Sequence, residues 1–316
     1  MSHASDPLVA ALDEAPSRPS LITCLELLKP ITWFPPMWAF MCGVVSAGVA
    51  FSDNWFAIIG GLLLVGPLVC AMSQATNDWH DRFVDAINEP HRPIPSGRMP
   101  GMWGLYIALI WTVLSLAVAV LLGTTVLIAT IVGLALAWAY SAPPFRLKMN
   151  GWLGGAACAI CYEGLAWFTG AAVLVQGWPD IRIVALAALY SFGAHGIMTL
   201  NDFKAIEGDT QMGVKTLPVL HGTASAARIA SVIMTVPQLI VIALLYSWGQ
   251  TGHAFAIAGL LLVQVFFMFR YLLDDASIRL NPRKNAAFYN LFGVTLYVAG
   301  MMTSAFAVRG ILMVSP

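Results

Sequence analysis

The sequence predicts an all-α protein that crosses a membrane many times. Of 316 residues, 59% are hydrophobic and only 10% charged, and mean hydropathy is +0.78. The apolar residues fall into nine runs, each near the roughly twenty residues that one bilayer-spanning helix needs. This composition excludes an ordinary water-soluble domain.

The runs lie near residues 32–50, 56–76, 102–121, 124–140, 152–174, 181–200, 226–247, 254–273 and 286–308. The first thirty residues lack a basic start followed by an apolar run, so no cleavable signal peptide is expected. Residues 1–20 are polar and rich in small side chains and read as a mobile tail. Residues 21–316 read as a single membrane domain.

Sixteen basic and sixteen acidic residues give zero net charge, which argues against a nucleic-acid-binding surface. Their placement is lopsided. Arg18 and Lys29 precede the first run; Arg82, Arg92 and Arg98 follow the second; Arg146 and Lys148 the fourth; Lys204, Lys215 and Arg228 the sixth; Arg270, Arg279, Arg283 and Lys284 the eighth. Only Arg182 and Arg309 fall on the other side. The positive-inside rule therefore puts the N-terminus and the polar loops in the cytoplasm and the C-terminus on the opposite face.

At the entrance to the first run, Lys29 with Trp33 and Trp38 reads as an interfacial anchor, the alternative being aromatic lining of a cleft mouth. The densest polar stretch, NDWHDRFVDAINEPHRPIPSGR at 77–98, follows the second run. A helix continuing into it places Asn77, Asp81 and Asp85 on one face, with Asp78 three residues before Asp81. Such a comb of oxygen ligands suits Mg²⁺, which is held through a few carboxylates together with a substrate's phosphates. Arg82, Arg92 and Arg98 are nearby candidates for those phosphates; the plainer alternative is a solvated loop of locally paired charges.

After the fourth run, YSAPPFRLK places Tyr140, Arg146 and Lys148 at the same rim. The fifth run carries Cys158 and Cys161, a lone C-x-x-C read as core cysteines. Beside them Tyr162 and Glu163 stand at membrane depth, where an ionisable carboxyl must face a cavity or a partner. In the sixth run His195 reads as a hydrogen-bonded core residue, or as a ligand or wall for a tetrapyrrole. The run ends in NDFKAIEGDTQMGVK, where Asn201, Asp202, Glu207 and Asp209 echo the first acidic stretch and Lys204 and Lys215 add positive charge. Both stretches leave spans of equal parity, suggesting two similar halves, about 21–150 and 151–316, whose acid combs face one another and clamp a diphosphate through metal ions.

These stretches resemble the aspartate-rich motifs of the UbiA superfamily of intramembrane prenyltransferases. The N-x-x-x-D-x-x-x-D motif falls on Asn77, Asp81 and Asp85. YSAPPFRLK, CYEGLAWFTGA, HGIMTLNDFKAIEGD and GVKTLPV extend the resemblance to its chlorophyll and bacteriochlorophyll synthase branch, with CYEGLAWFTGA and ITWFPPMWAF on the bacteriochlorophyll side. One departure is Ala205, which stands where many members carry the first aspartate of the second motif; Asp202 or Glu207 would take its place.

The resemblance implies a helical bundle with a central lipid-facing cleft in an inner or intracytoplasmic photosynthetic membrane. It implies transfer of a geranylgeranyl or phytyl group from its diphosphate to the ring-D propionate of bacteriochlorophyllide. Asn77, Asp78, Asp81, Asp85, Asp202, Glu207 and Asp209 supply the Mg²⁺ ligands, of which Asn77, Asp81, Asp85, Asp202 and Asp209 are catalytic. Arg92, Lys148 and Lys215, helped by Arg82, Arg146 and Lys204, hold the diphosphate. Tyr140, Tyr162, Glu163 and His195 are candidates for the tetrapyrrole or prenyl chain. Contacts with other pigment-synthesis or photosystem-assembly proteins would follow. Rival readings are another acceptor within the superfamily (chlorophyll, quinone or haem type) and an ion-coupled transporter; the D-G-x-x-A-R signature of CDP-alcohol phosphatidyltransferases is absent.

Overall fold

The computed structural model describes residues 18–314. The expected mobile tail at 1–20 lies outside these apart from residues 18–20, of which Ser20 caps the first helix by accepting from the Thr23 amide at 3.2 Å. Among the described residues the secondary structure is helical, with a single isolated bridge between Asn150 and Lys215.

Among the described residues eight helices are long and apolar enough to cross a bilayer, starting at Trp55, Trp103, Thr124, Gly151, Ile181, Leu217, Thr251 and Pro282. The ninth expected span is a shorter apolar helix, α2 (Phe34–Ser46), of 13 residues. At ~1.5 Å per residue it covers about 20 Å, short of the roughly 30 Å hydrocarbon core. Its start is set by Pro35 and Pro36 in the first turn. Before it, α1 (Leu21–Leu28) ends at Lys29 in a left-handed conformation.

The second span is one continuous rod with an irregular middle: α3 (Trp55–Leu63), a π-helical turn at Leu64–Cys70 and α4 (Ala71–Asn88). Pro67 lies in that turn, where it withholds a backbone donor, and its own carbonyl accepts from the Trp111 indole at 2.9 Å. Next come α5 (Trp103–Leu122) and α6 (Thr124–Ser141), then α7 (Gly151–Ala159), a second π-helical turn at Ile160–Leu165 and α8 (Ala166–Val175). The rest are α9 (Ile181–Asn201), the short α10 (Ile206–Gln211), α11 (Leu217–Ser247), α12 (Thr251–Tyr271), α13 (Asp275–Leu280) and α14 (Pro282–Val314). Within α11, Gly222 breaks the helix at φ +74°, so the continuous rod starts just past it, near the expected 226.

The largest core cluster joins α2, α8, α9, α11, α12 and α14 around fully buried Phe40, Trp167, Tyr190, Tyr289 and Tyr297. At its centre α2 crosses α8 with backbones nearly touching. A Cβ on Gly43 would lie 2.0 Å from the Trp167 carbonyl oxygen, and one on Gly170 would lie 1.9 Å from that of Phe40. Lipid tails supply no hydrophobic drive between helices, so this close approach is how short α2 gains its contacts. The Trp167 indole donates to Ser46 at 3.1 Å, and the Trp38 indole donates to the Val298 carbonyl at 3.1 Å, tying α2 to α8 and α14.

Gly170→Ala is expected to lower stability by roughly 1–3 kcal/mol, because the clashing atom is backbone and cannot turn away. Gly252→Ala, where an added Cβ meets nothing within 4 Å, should be neutral or slightly stabilising through helix propensity. Thermal unfolding of both variants in detergent reads the difference.

Candidate functional site

The first acidic stretch is helical as its periodicity predicts, because α4 runs through Asn88. Its residues divide by face. Asn77 donates to Asp81 at 2.9 Å. Asp81 is paired with Lys148 and lies 3.8 Å from Arg146. Asp85, buried, accepts from Arg92 at 2.8 Å. Asp78, 1% exposed, turns instead toward α1, pairing with Lys29 at 2.6 Å and Arg92 at 3.4 Å. Arg82 points away from all of these, over the rings of Trp79 and Phe83 at 4.1 and 4.3 Å. Arg98 pairs with Glu26 through both terminal nitrogens, fastening its loop to α1.

The second stretch is not one helix. α9 ends at Asn201, a 3₁₀ turn covers Asp202–Lys204, and α10 carries Glu207 and Asp209. Asp202 and Asp209 nevertheless come within electrostatic reach of each other. Asp209 accepts from the Thr216 hydroxyl at 3.3 Å. Burial pushes its carboxyl above the ordinary aspartate range, and that hydrogen bond works against the shift. Glu207, Lys204 and Lys215 are exposed. Asn201 is held by α14, accepting from the Asn290 amide at 3.1 Å.

What joins the two stretches is backbone. The Lys215 amide donates to the Met149 carbonyl at 3.0 Å, and the Gly151 amide donates back to Lys215 at 2.8 Å. A short covalent and hydrogen-bonded path thus runs from Asp81 through Lys148 and Met149 to Lys215, Thr216 and Asp209. Burial lowers the Lys148 ammonium below the ordinary lysine value, and Asp81 opposes that shift. Tyr140 lies within electrostatic reach of both Asp81 and Asp202, between the two groups of acids.

Below this rim lies a cavity of about 200 Å³. Ser73, Gln74 and Asn77 line it from α4, Tyr140 from α6, and Cys158 and Tyr162 from the other wall. Gln74 donates to the Tyr162 hydroxyl at 3.1 Å. A smaller pocket of about 40 Å³ adjoins it at Cys161, between Val69, Gly133 and Leu165. Cys158 and Cys161, expected in the core, therefore line cavities, and all five cysteines are free. Ser73 and Gln74 escaped the sequence reading although Ser73 continues the Asn77–Asp81–Asp85 stripe one turn earlier. Lys29 was read as an anchor, and nothing local marks its pairing with Asp78 49 residues on.

Glu163 and His195 are not brought to this cavity. Glu163 is buried in the second π-helical turn, with Oε2 meeting no hydrogen-bond partner. His195 packs its ring on Trp152, 5.3 Å away, and its Nε2 lies 3.1 Å from the Trp152 carbonyl.

Among the described residues no three His, Cys, Asp or Glu side chains stand close enough together to enclose a metal ion. The chemistry of the donor set still fits a hard divalent cation. It is all oxygen, and Asp202 and Asp209 repel each other with only exposed Lys204 opposing. The charge that Asp81 and Asp85 require comes from Lys148, Arg146 and Arg92.

The UbiA prenyltransferase family profile matches residues 33–308. The chain belongs to the UbiA prenyltransferase family. This UbiA prenyltransferase is 56% identical over 295 residues to the bacteriochlorophyll synthase 33 kDa chain of Cereibacter sphaeroides, covering 93% of this chain and 95% of that protein. It is 51% identical to the corresponding Rhodobacter capsulatus protein, over 96% of this chain and 99% of that one. With the chloroplastic chlorophyll synthase of Oryza sativa subsp. japonica the identity is 36%, over 90% of this chain and 76% of that protein. Its fold is that of an Archaeoglobus fulgidus UbiA homologue solved with GPP and Mg²⁺, at a TM-score of 0.70 and 20% identity, covering 91% of this chain and 99% of that one.

If the bridged loops hold the two acid groups together, Asn150→Cys with Lys215→Cys should crosslink within one molecule under mild oxidation. Mass spectrometry of the digested protein reads the product, and recovery of only reduced peptides would contradict the pairing.

Proposed function

We propose that this UbiA prenyltransferase is a bacteriochlorophyll synthase. It would transfer a geranylgeranyl or phytyl group from its diphosphate to the ring-D propionate of bacteriochlorophyllide. The acceptor rests on the high identity to bacteriochlorophyll synthases over nearly the whole chain. The chemistry is supported by one observation: the loop whose Lys148 pairs with Asp81 is bridged through Met149 to Lys215, close in sequence to Asp209, beside a cavity that Asn77 and Tyr140 line.

Asn77, Asp81, Asp85, Asp202 and Asp209 are the residues that would hold Mg²⁺. Bound there with the donor, the metal would neutralise the charge that builds on the diphosphate as the allylic C–O bond breaks. Lys148 would turn from Asp81 toward diphosphate oxygens, Arg92 would offer them its free edge from beside Asp85, and exposed Lys215 would reach the same group. Asp78, already paired on its α1 side, is assigned to scaffolding. Arg82, spent on Trp79 and Phe83, is assigned to the outer surface.

With donor and acceptor bound, little room would remain for water beside the allylic carbon, which would meet the propionate oxygen instead. The carboxylate attacks, the ester C–O bond forms and pyrophosphate departs. Because a propionate is already ionised near neutral pH, the chain needs no strong base. By its charge asymmetry the polar rim would face the cytoplasm, with the N-terminus there and the C-terminus across the membrane. The two acid-bearing halves, about 21–150 and 151–316, would be parallel repeats.

Purified protein in detergent or nanodiscs, given bacteriochlorophyllide and geranylgeranyl diphosphate, should form the ester only with Mg²⁺ and lose activity on chelation. Asp81→Ala and Asp209→Ala should each reduce turnover about 100-fold or more, with membrane insertion retained. Preference for a quinone or haem precursor would overturn the acceptor; full turnover after exhaustive chelation would overturn the metal.

A further inference from the structure

We propose that Lys29 is a positioning residue for the donor site: through Asp78 it fixes Arg92 beside Asp85, with one edge of the guanidinium turned to the diphosphate. This rests on the proposed prenyl transfer and adds a residue that contacts neither substrate. Asp78 is the hub. Its Oδ1 accepts from Lys29 at 2.6 Å and from Arg92 at 3.4 Å, and its other oxygen is buried without a partner. Arg92 uses the same terminal nitrogen, Nη1, for Asp78 and for Asp85 at 2.8 Å. A guanidinium donates in a planar fork, so bonds confined to Nη1 leave Nη2 and Nε to face another anion.

Three further features make this a constructed arrangement. Lys29 closes α1 at φ 47°, a left-handed conformation uncommon for a side-chain-bearing residue, which turns the chain sharply there. The backbone amide of Lys29 caps α1 at Glu26 and Leu25, and Pro30 follows directly. The loop bearing Arg92 is fastened to α1 twice more, by the Arg98–Glu26 pair and by Ile94 and Met99 packing in one cluster with Leu27 and Leu28. The short helix before the first membrane segment therefore sets where Arg92 stands.

The charge balance indicates what Lys29 does. Asp78 with two cations cannot draw Arg92 fully onto itself, and Arg92 stays nearer to Asp85. Without Lys29, Asp78 is a buried carboxylate whose remaining cation is Arg92, and the guanidinium should swing onto it. Diphosphate would then have to compete with a stronger ion pair for the same arginine.

The test is steady-state kinetics of the full-length membrane protein with geranylgeranyl diphosphate, Mg²⁺ and bacteriochlorophyllide. Lys29→Met should raise KM for the diphosphate about tenfold, with kcat within about threefold and KM for the acceptor unchanged. Lys29→Arg should restore most of the donor affinity. Should Lys29→Met fail to accumulate, Lys29→Gln carries the same expectation, and adding Asp78→Asn, which removes the carboxylate that would capture Arg92, should return donor KM toward the wild-type value; a rise that persists in the double variant would overturn the proposal. Unchanged donor KM, or equal loss for both substrates, would overturn the positioning role while leaving the prenyl transfer standing. Absence of ester from the wild-type protein would instead sink the proposed function.

Discussion

Everything at the polar end of this bundle depends on neutralising the carboxylates that crowd the polar end of α4. Asp78 and Asp85 are buried there and Asp81 is partly so. Removing one charge from water without a partner costs several kcal/mol even after relaxation. The partners come from separate parts of the chain: Lys29 from the end of α1, Arg92 from the loop after α4, and Arg146 and Lys148 from the loop after α6. Each pair therefore fixes the course of a loop. Three carboxylates face four cations, leaving that side of the site with an excess of positive charge before any anion arrives, as a diphosphate site requires.

The hydrophobic part of the fold meets a different constraint. α2 is too short to cross a bilayer but must seat Met37 against the first π turn at Gly66 and Trp38 against α14. It does so by close backbone contact with α8 across Gly43 and Gly170. Both π-helical turns, Leu64–Cys70 and Ile160–Leu165, fall on helices that line the cavities, and they face one another through Cys70 and Tyr162 at 3.5 Å. A π turn inserts a residue into the helical register and so re-aims the side chains beyond it. Here those beyond the first turn include Ser73, Gln74 and the acid stripe.

Much of this was legible because it depends on periodicity or length alone. Twenty-residue apolar runs gave the spans, and a four-residue repeat of Asn77, Asp81 and Asp85 gave the face of α4. The same helical arithmetic puts Arg82 about 100° round from Asp81, which is why its guanidinium lies over Trp79 instead of beside the acids. Asp202 and Asp209 were harder to place, because the helix stops at Asn201 and no repeat spans the 3₁₀ turn. Contacts between distant elements were not legible: Lys29 with Asp78, and the Lys215 bridge to Met149. The π turns had only Pro67 as a local sign, and the second had none. Cys158 and Cys161 look like core residues to any hydropathy scale, since nothing in their local sequence separates a cavity wall from a packed core.

The two cavities explain why an allylic diphosphate suits this architecture better than a polar substrate. The larger opens beside Asn77 and Tyr140 at the charged rim, and the smaller adjoins it at Cys161 among Val69, Gly133 and Leu165. A donor held by its diphosphate at the rim, on the proposed reading, would lay part of its tail past Cys161 toward the second cavity. Burying each CH₂ of that tail contributes about 0.8 kcal/mol, and that energy is available only when the headgroup sits among the acids and cations. Tail binding and diphosphate placement therefore reinforce each other. On that reading the reactive carbon is left at the boundary between them, where the rim's charges act and Tyr140 and Tyr162 stand on facing walls.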